Sequence, residues 1–128
     1  MNTVELWHDI VRERKLERLD DVLAEDCVFL SPVVHSPQEG RELTKFYLTG
    51  AFSVFNDSFR YIKEVVTPEH AVLEFECDLD GIVVNGVDIM TFDAAGKIVE
   101  FKVMVRPLKA VNLMHAKMQA MLEQMSAQ

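Results

Sequence analysis

The chain changes its hydrophobic period once. Up to about residue 55 apolar residues recur at helical spacing, and from residue 59 they alternate. Thr3 is the expected N-cap of a first helix, with Leu6, Trp7, Ile10 and Val11 as its apolar stripe. A short second helix, about Leu16 to Leu23, turns Leu16, Leu19, Val22 and Leu23 inward. Cys27-Val28-Phe29-Leu30 follows as a strand stopped by Ser31-Pro32. Pro37 and Gly40 punctuate the next loop, and a helix from about Arg41 to Phe55 buries Leu43, Phe46, Tyr47 and Leu48.

Four strands are then predicted over Phe59–Val66, Ala71–Leu79, Val83–Phe92 and Lys97–Arg106. The clearest puts Leu73, Phe75, Cys77 and Leu79 on one face and Glu74, Glu76 and Asp78 on the other, the pattern of a half-buried antiparallel strand. Pro107 ends the last strand. An amphipathic helix over about 108–125 carries a stripe of Val111, Met114, Met118, Met121, Leu122 and Met125. Helices first and strands afterwards predict an α+β fold, with helices on one face of a curved sheet. At 128 residues the chain is expected to form one domain, 1–128.

Candidate chemistry concentrates in the hairpin Gly86–Phe101, two strands around an Asp93-Ala94-Ala95-Gly96 turn. Its carboxylate, Asp88, stands among apolar neighbours. By alternation Gly86, Met90 and Phe92 share its face, with Phe101, Val103 and Val105 beside them on the next strand. A carboxyl in that company has a raised pKa, which suits a hydrogen-bond donor or an acid/base group. The alternatives are exposure to water, or a carboxylate satisfied by a donor such as Trp7 or Tyr47. His35, in the loop four residues past Ser31, is a candidate base. His8 and Asp9 adjoin on a helix and point apart by roughly 100°. The four histidines show no metal-ligand spacing, and no cofactor is expected. The Met stripe reads either as packing against the sheet or a partner subunit, or as a lid.

Charge narrows the partners. A net charge of −8 argues against nucleic acid, because the basic residues Arg12, Arg14, Lys15 and Arg18 interleave with Glu13, Glu17, Asp20 and Asp21 as on a solvated helix face. No run reaches the roughly 18 apolar residues of a membrane span. The first residues lack a basic segment followed by an apolar one, so a cytoplasmic location is expected. Cys27 and Cys77 lie in apolar runs and read as buried free thiols.

The helix–helix–strand start, the long third helix and the meander closing on Gly96-Lys97-Ile98-Val99-Glu100 resemble the cone-shaped nuclear transport factor 2-like superfamily, in its SnoaL-like and ketosteroid-isomerase-like branch. The resemblance covers about residues 4–107. It implies homodimerisation and places the isomerase's first-helix tyrosine on Trp7, its general-base aspartate on Ser31, and its protonated oxyanion-hole aspartate on Asp88. Serine cannot act as the base near neutral pH. The last-strand aspartate that SnoaL-type cyclases and epoxide hydrolases of this fold imply is missing from Phe101-Lys102-Val103-Met104-Val105.

The expectation is therefore a pocket for a small apolar or carbonyl-bearing molecule, lined by Trp7, Ser31, Phe46, Phe75, Met90, Phe101 and Val103. Asp88 would be its polar anchor, and acid/base group in an isomerase- or cyclase-type step without cofactor. A filled core in a non-catalytic homodimeric domain is the competing expectation, with Ile89, Thr91, Glu100, Lys102 and Met104 on the paired face.

Overall fold

The computed structural model describes residues 2–126. Helix α1 is Thr3–Glu13, followed by a 3₁₀ helix over Leu16–Asp21. The cap of α1 is Asn2 rather than Thr3: Asn2 Oδ1 accepts from the Glu5 N–H at 2.8 Å. Thr3 donates instead to the Gly96 carbonyl, tying the helix start to the hairpin turn. Val4, Trp7 and Ile10 form the buried face. Complete burial of Ile10 contributes about 1.5–3 kcal/mol relative to exposure.

Strand β1 is Leu23–Leu30, longer than the expected Cys27–Leu30. Exposed Glu25 and Asp26 interrupt its alternation, and its register against its neighbour shifts between Leu23 and Val28. A two-residue strand β2, Gln38–Glu39, pairs with β1 where sequence showed only a loop. Helix α2 is Arg41–Val54, and strands β3 to β6 are Arg60–Val66, His70–Leu79, Ile82–Phe92 and Ile98–Arg106. Helix α3, Leu108–Ser126, completes the order.

The six strands form one curved, unclosed sheet in the order β2-β1-β6-β5-β4-β3. The meander β3 to β6 is antiparallel as expected, but β1 runs parallel to β6, so the sheet is mixed. A parallel pair needs a long crossover, and α2 with β3, β4 and β5 supplies it. The expected hairpin turn is present. Asp93 Oδ1 accepts from the N–H groups of Ala95 and Lys97, both at 2.9 Å, and Gly96 takes φ +82°.

The concave face holds two packed clusters. One gathers Trp7, Ile10, Leu19, Leu73, Met90 and Phe101 under α1 and the 3₁₀ helix. The other gathers Phe75, Cys77, Leu79, Val84, Ala110 and Met114 under α3. Tyr61 and Val103 pack against both. Cys27 and Cys77 are buried free thiols, and burial pushes the Cys27 thiol pKa up. No helix among the described residues is long and apolar enough to cross a membrane.

Candidate functional site

Strand β3 decides what the concave face presents. Simple alternation from Tyr61 would turn Lys63 inward and Glu64 outward. A bulge at Ile62 reverses this. Tyr61 pairs with Phe75, Lys63 with the outward Glu74, and Glu64 with the inward Leu73. Tyr61 and Glu64 therefore both lie on the concave side of the sheet. On β5, Asp88 pairs with Leu73 on one side and Val103 on the other, which puts its carboxyl in the middle of the apolar concave face.

Asp88 is 6% exposed. Its Oδ2 accepts from the Tyr61 hydroxyl at 2.6 Å, and Trp7 Nε1–H donates to the same Tyr61 oxygen at 2.9 Å. Neither of the expected donors, Trp7 and Tyr47, bonds the carboxyl directly; Trp7 reaches it through Tyr61. Burial pushes the Asp88 pKa from 3.8 up to about 7, against the smaller lowering effect of the Tyr61 hydrogen bond. Burial, then the Asp88 charge, raises the Tyr61 pKa well above its usual value, so the phenol keeps its proton.

This chain of three groups lies at one cavity of about 1360 Å³, above the roughly 300–1,000 Å³ usual for a ligand pocket. Its floor is Trp7, Tyr61, Phe75, Asp88, Phe101 and Val103. Phe29, Tyr47, Phe52 and Phe59 wall it, and Met114, Met118 and Leu122 of α3 close one side. Trp7 is fixed between Phe101 and Phe52, with ring centroids 5.0 and 5.9 Å away.

Gly86 is required for this floor. A Cβ there would stand 2.8 Å from the Met104 carbonyl oxygen and would collide with the end of the Phe75 ring. Gly50 has a related role on α2. A Cβ would be 3.1 Å from Leu122 Cδ2 and 3.2 Å from Met118 Cε, so the glycine lets α3 pack closely. The Met-rich helix thus packs on α2 and the sheet with the same face that borders the cavity.

The sequence candidates divide. Asp88, Trp7, Phe75, Phe101 and Val103 meet on the floor, and Ser31 lies on the lining. Ser31 Oγ accepts from the N–H groups of Val33 and Val34 at 3.0 and 3.2 Å, so it shapes the loop. Three candidates fall outside the lining. Met90 is fully buried in the core beneath it, Phe46 is half-buried against Tyr47, and His35 is exposed. An extended run alternating about Asp88 correctly turned Met90 inward, but core packing covers it.

Tyr61, His8 and Glu64 were missed as site residues. Tyr61 stood in a predicted strand, one residue before a bulge that no turn residue marks. His8 lines the cavity, and its Nε2 lies against Glu64 Oε1. Asp9 pairs instead with Arg12, as the divergence of adjacent helical positions requires. Among the described residues no cluster of histidine, cysteine, aspartate and glutamate has the geometry of a metal site.

Comparison with known proteins agrees with this geometry. Residues 4–101 match the family model of the SnoaL-like domain. No curated protein sequence matches the chain. Among solved structures, a steroid delta-isomerase from Pseudomonas aeruginosa is similar at 32% identity and TM-score 0.93, over 98% of this chain and 93% of that one. A bacterial protein with a cystatin-like fold from Silicibacter pomeroyi DSS-3 shares 29% identity over 92% of this chain and 83% of its own, with TM-score 0.86. An NTF2-like protein from Mesorhizobium loti, 21% identical over 82% of this chain and 88% of its own, has the same fold at TM-score 0.72. The curved mixed sheet, the enclosed floor and the match over most of the chain agree: this protein belongs to the SnoaL-like domain family, within the nuclear transport factor 2-like superfamily.

Proposed function

We propose that the cavity binds an uncharged, largely apolar small molecule bearing a carbonyl group. The carbonyl oxygen docks at the Asp88–Tyr61 pair, in a cofactor-free reaction of the isomerase or cyclase class. The observation that carries this reading is one carboxyl at the floor of an apolar cavity, bonded within the described residues by Tyr61 alone. Near neutral pH such a carboxyl is present in both protonation states, so it can donate a hydrogen bond to a carbonyl oxygen and can release the proton. The aromatic floor supplies contact area and the carboxyl supplies orientation. The similarity to a steroid delta-isomerase supports this ligand class. The cavity bordered by Trp7 and Asp88 counts against a core filled solid.

We further propose that a second copy of the chain covers the convex face of the sheet. Val65 and Met104 are 63% and 50% exposed there, beside Ile89 and Val72. The flanking pairs Arg60–Glu76 and Lys63–Glu74 carry both signs of charge, so the face can meet its own copy.

The ligand reading is tested with a panel of apolar ketones. Trp7 is the single tryptophan and lies on the cavity floor, so its fluorescence reports occupancy directly. A binder at 100 times its Kd stabilises the fold by about 2.7 kcal/mol. Wild type is expected to show both signals, and Asp88→Ala to lose affinity while staying folded. Equal binding by Asp88→Ala would refute the anchor.

A further inference from the structure

His8 stands on α1 at the wall of the cavity, with its side chain 28% exposed. Its Nε2 is buried in contact with the carboxylate of Glu64, without a hydrogen bond, and the Ile62 bulge turns that carboxylate to the concave side. Among the described residues no hydrogen bond occupies the other ring nitrogen, Nδ1. The imidazole ring is edge-on to Tyr61, with centroids 5.2 Å apart. That same tyrosine donates to Asp88. One aromatic ring therefore separates two proton-exchanging groups, a carboxyl on the apolar floor and an imidazole nearer the mouth.

The other ionisable groups at the mouth are poorer acceptors. Arg12, Arg14 and Arg60 stay charged, Asp9 is held by Arg12, Glu5 and Glu123 are exposed, and Asp57 is fully exposed. His115 is exposed on α3 with no carboxylate partner among the described residues. His8 is the imidazole with a carboxylate against one nitrogen and the other nitrogen free.

We propose that His8 is a proton-accepting catalytic residue of this cavity, with Glu64 as its positioning residue, acting on the carbon beside a ligand carbonyl docked at Asp88. This rests on the ligand reading above. The Glu64 carboxylate beside Nε2 favours the proton on that nitrogen and so leaves the Nδ1 lone pair as the base. Nδ1 takes the proton from the carbon α to the carbonyl. The C–H electron pair forms the new carbon–carbon double bond, and the carbonyl π pair moves onto oxygen, which receives the Asp88 proton. The imidazolium, 28% exposed, exchanges that proton with solvent and delivers a solvent-derived one to carbon, and Asp88 recovers its own from the enol oxygen. No oxidant or reductant enters.

The probe is 2-tetralone, an apolar ketone with acidic α-hydrogens. Its hydrogen–deuterium exchange in D₂O is followed by proton NMR, and its binding by Trp7 fluorescence. Wild type is expected to accelerate exchange over buffer. His8→Ala is expected to lower the rate by about 100-fold or more at unchanged Kd, with added imidazole restoring part of it. His8→Gln gives the same loss should the alanine variant fail to fold. Glu64→Gln should lower the rate, and Glu64→Asp should recover some of it.

Bound 2-tetralone with no exchange, full-rate exchange in both His8 variants, or absence of imidazole rescue would each overturn the role of His8 and leave the ligand reading standing. Failure of 2-tetralone and every larger apolar ketone to bind would overturn both.

Discussion

Replacing Asp88 with asparagine tests the central physical claim without any ligand. Asparagine keeps the shape and can still accept from the Tyr61 hydroxyl, but it does not ionise. In the wild type the Asp88 pKa rises from 3.8 in the unfolded chain to about 7 in the folded one. Below pH 4 both states hold the proton, and the group makes no difference. Between pH 4 and 7 the unfolded chain ionises first, so stability falls as pH rises. Above pH 7 both states are ionised and the loss levels off. A pKa rise of about 3, at about 1.4 kcal/mol per unit, sums to about 4 kcal/mol. Of this, about 2.5 kcal/mol falls between pH 5 and pH 8. Urea unfolding followed by Trp7 fluorescence at several pH values measures it. Other groups titrate in both proteins, so the difference between the two curves isolates Asp88. Asp88→Asn should gain on wild type by about 2.5 kcal/mol as pH rises from 5 to 8. Parallel curves would mean that the carboxyl is solvated, and the functional reading would lose its foundation.

Tyr61→Phe should destabilise the fold by about 1–3 kcal/mol, because it leaves Trp7 Nε1 and the Asp88 carboxyl without their shared partner. Removing the one hydrogen bond that lowers the Asp88 pKa should also carry the fall in stability to higher pH, readable in the same urea series. Gly86→Ala should cost about 1–3 kcal/mol in urea unfolding, since Phe75 must leave the floor to make room, and ketone affinity should fall with it. Val65→Glu combined with Met104→Glu should give a monomer in sedimentation velocity if the convex face is paired, with the cavity signal from Trp7 retained.

The elements were legible in the sequence because their periods are. Helical stripes in the first half and alternation in the second reflect burial on one face, and that alone orders the α+β fold. Elements set by pairing rather than by burial were not. The two residues of β2 carry no period, and the parallel run of β1 beside β6 depends on a crossover that hydropathy does not encode. Leu23 reads as the end of a helix because the chain there leaves a 3₁₀ helix directly for a strand. In the site, Asp88 was visible as a polar residue in an apolar alternation. Trp7, Phe101 and Val103 followed from face-sharing and resemblance. His35 was chosen for its distance along the chain from Ser31, but the lining stops at Val34.

The residues that escaped share one cause. Reading β3 as a regular strand allows Tyr61 or Glu64 to face inward, never both, because three positions separate them and the period is two. The bulge at Ile62 adds the residue that brings the two to one side. It also turns Val65 outward, next to Val72 on the convex face. A single irregularity in the ladder therefore sets both faces of the sheet: the Trp7–Tyr61–Asp88 chain and the His8–Glu64 contact within, and an exposed apolar position without. Deleting Ile62 should consequently leave the cavity and the convex surface in place, because Tyr61, Lys63, Glu64 and Val65 then alternate regularly in the register they already hold. A conservative change of the Ile62 side chain, which is 41% exposed, should disturb neither. Retention of Trp7 quenching and of self-association in the deletion is the expected pattern, and loss of both would show that the residue count across Ile62 does not set the two faces.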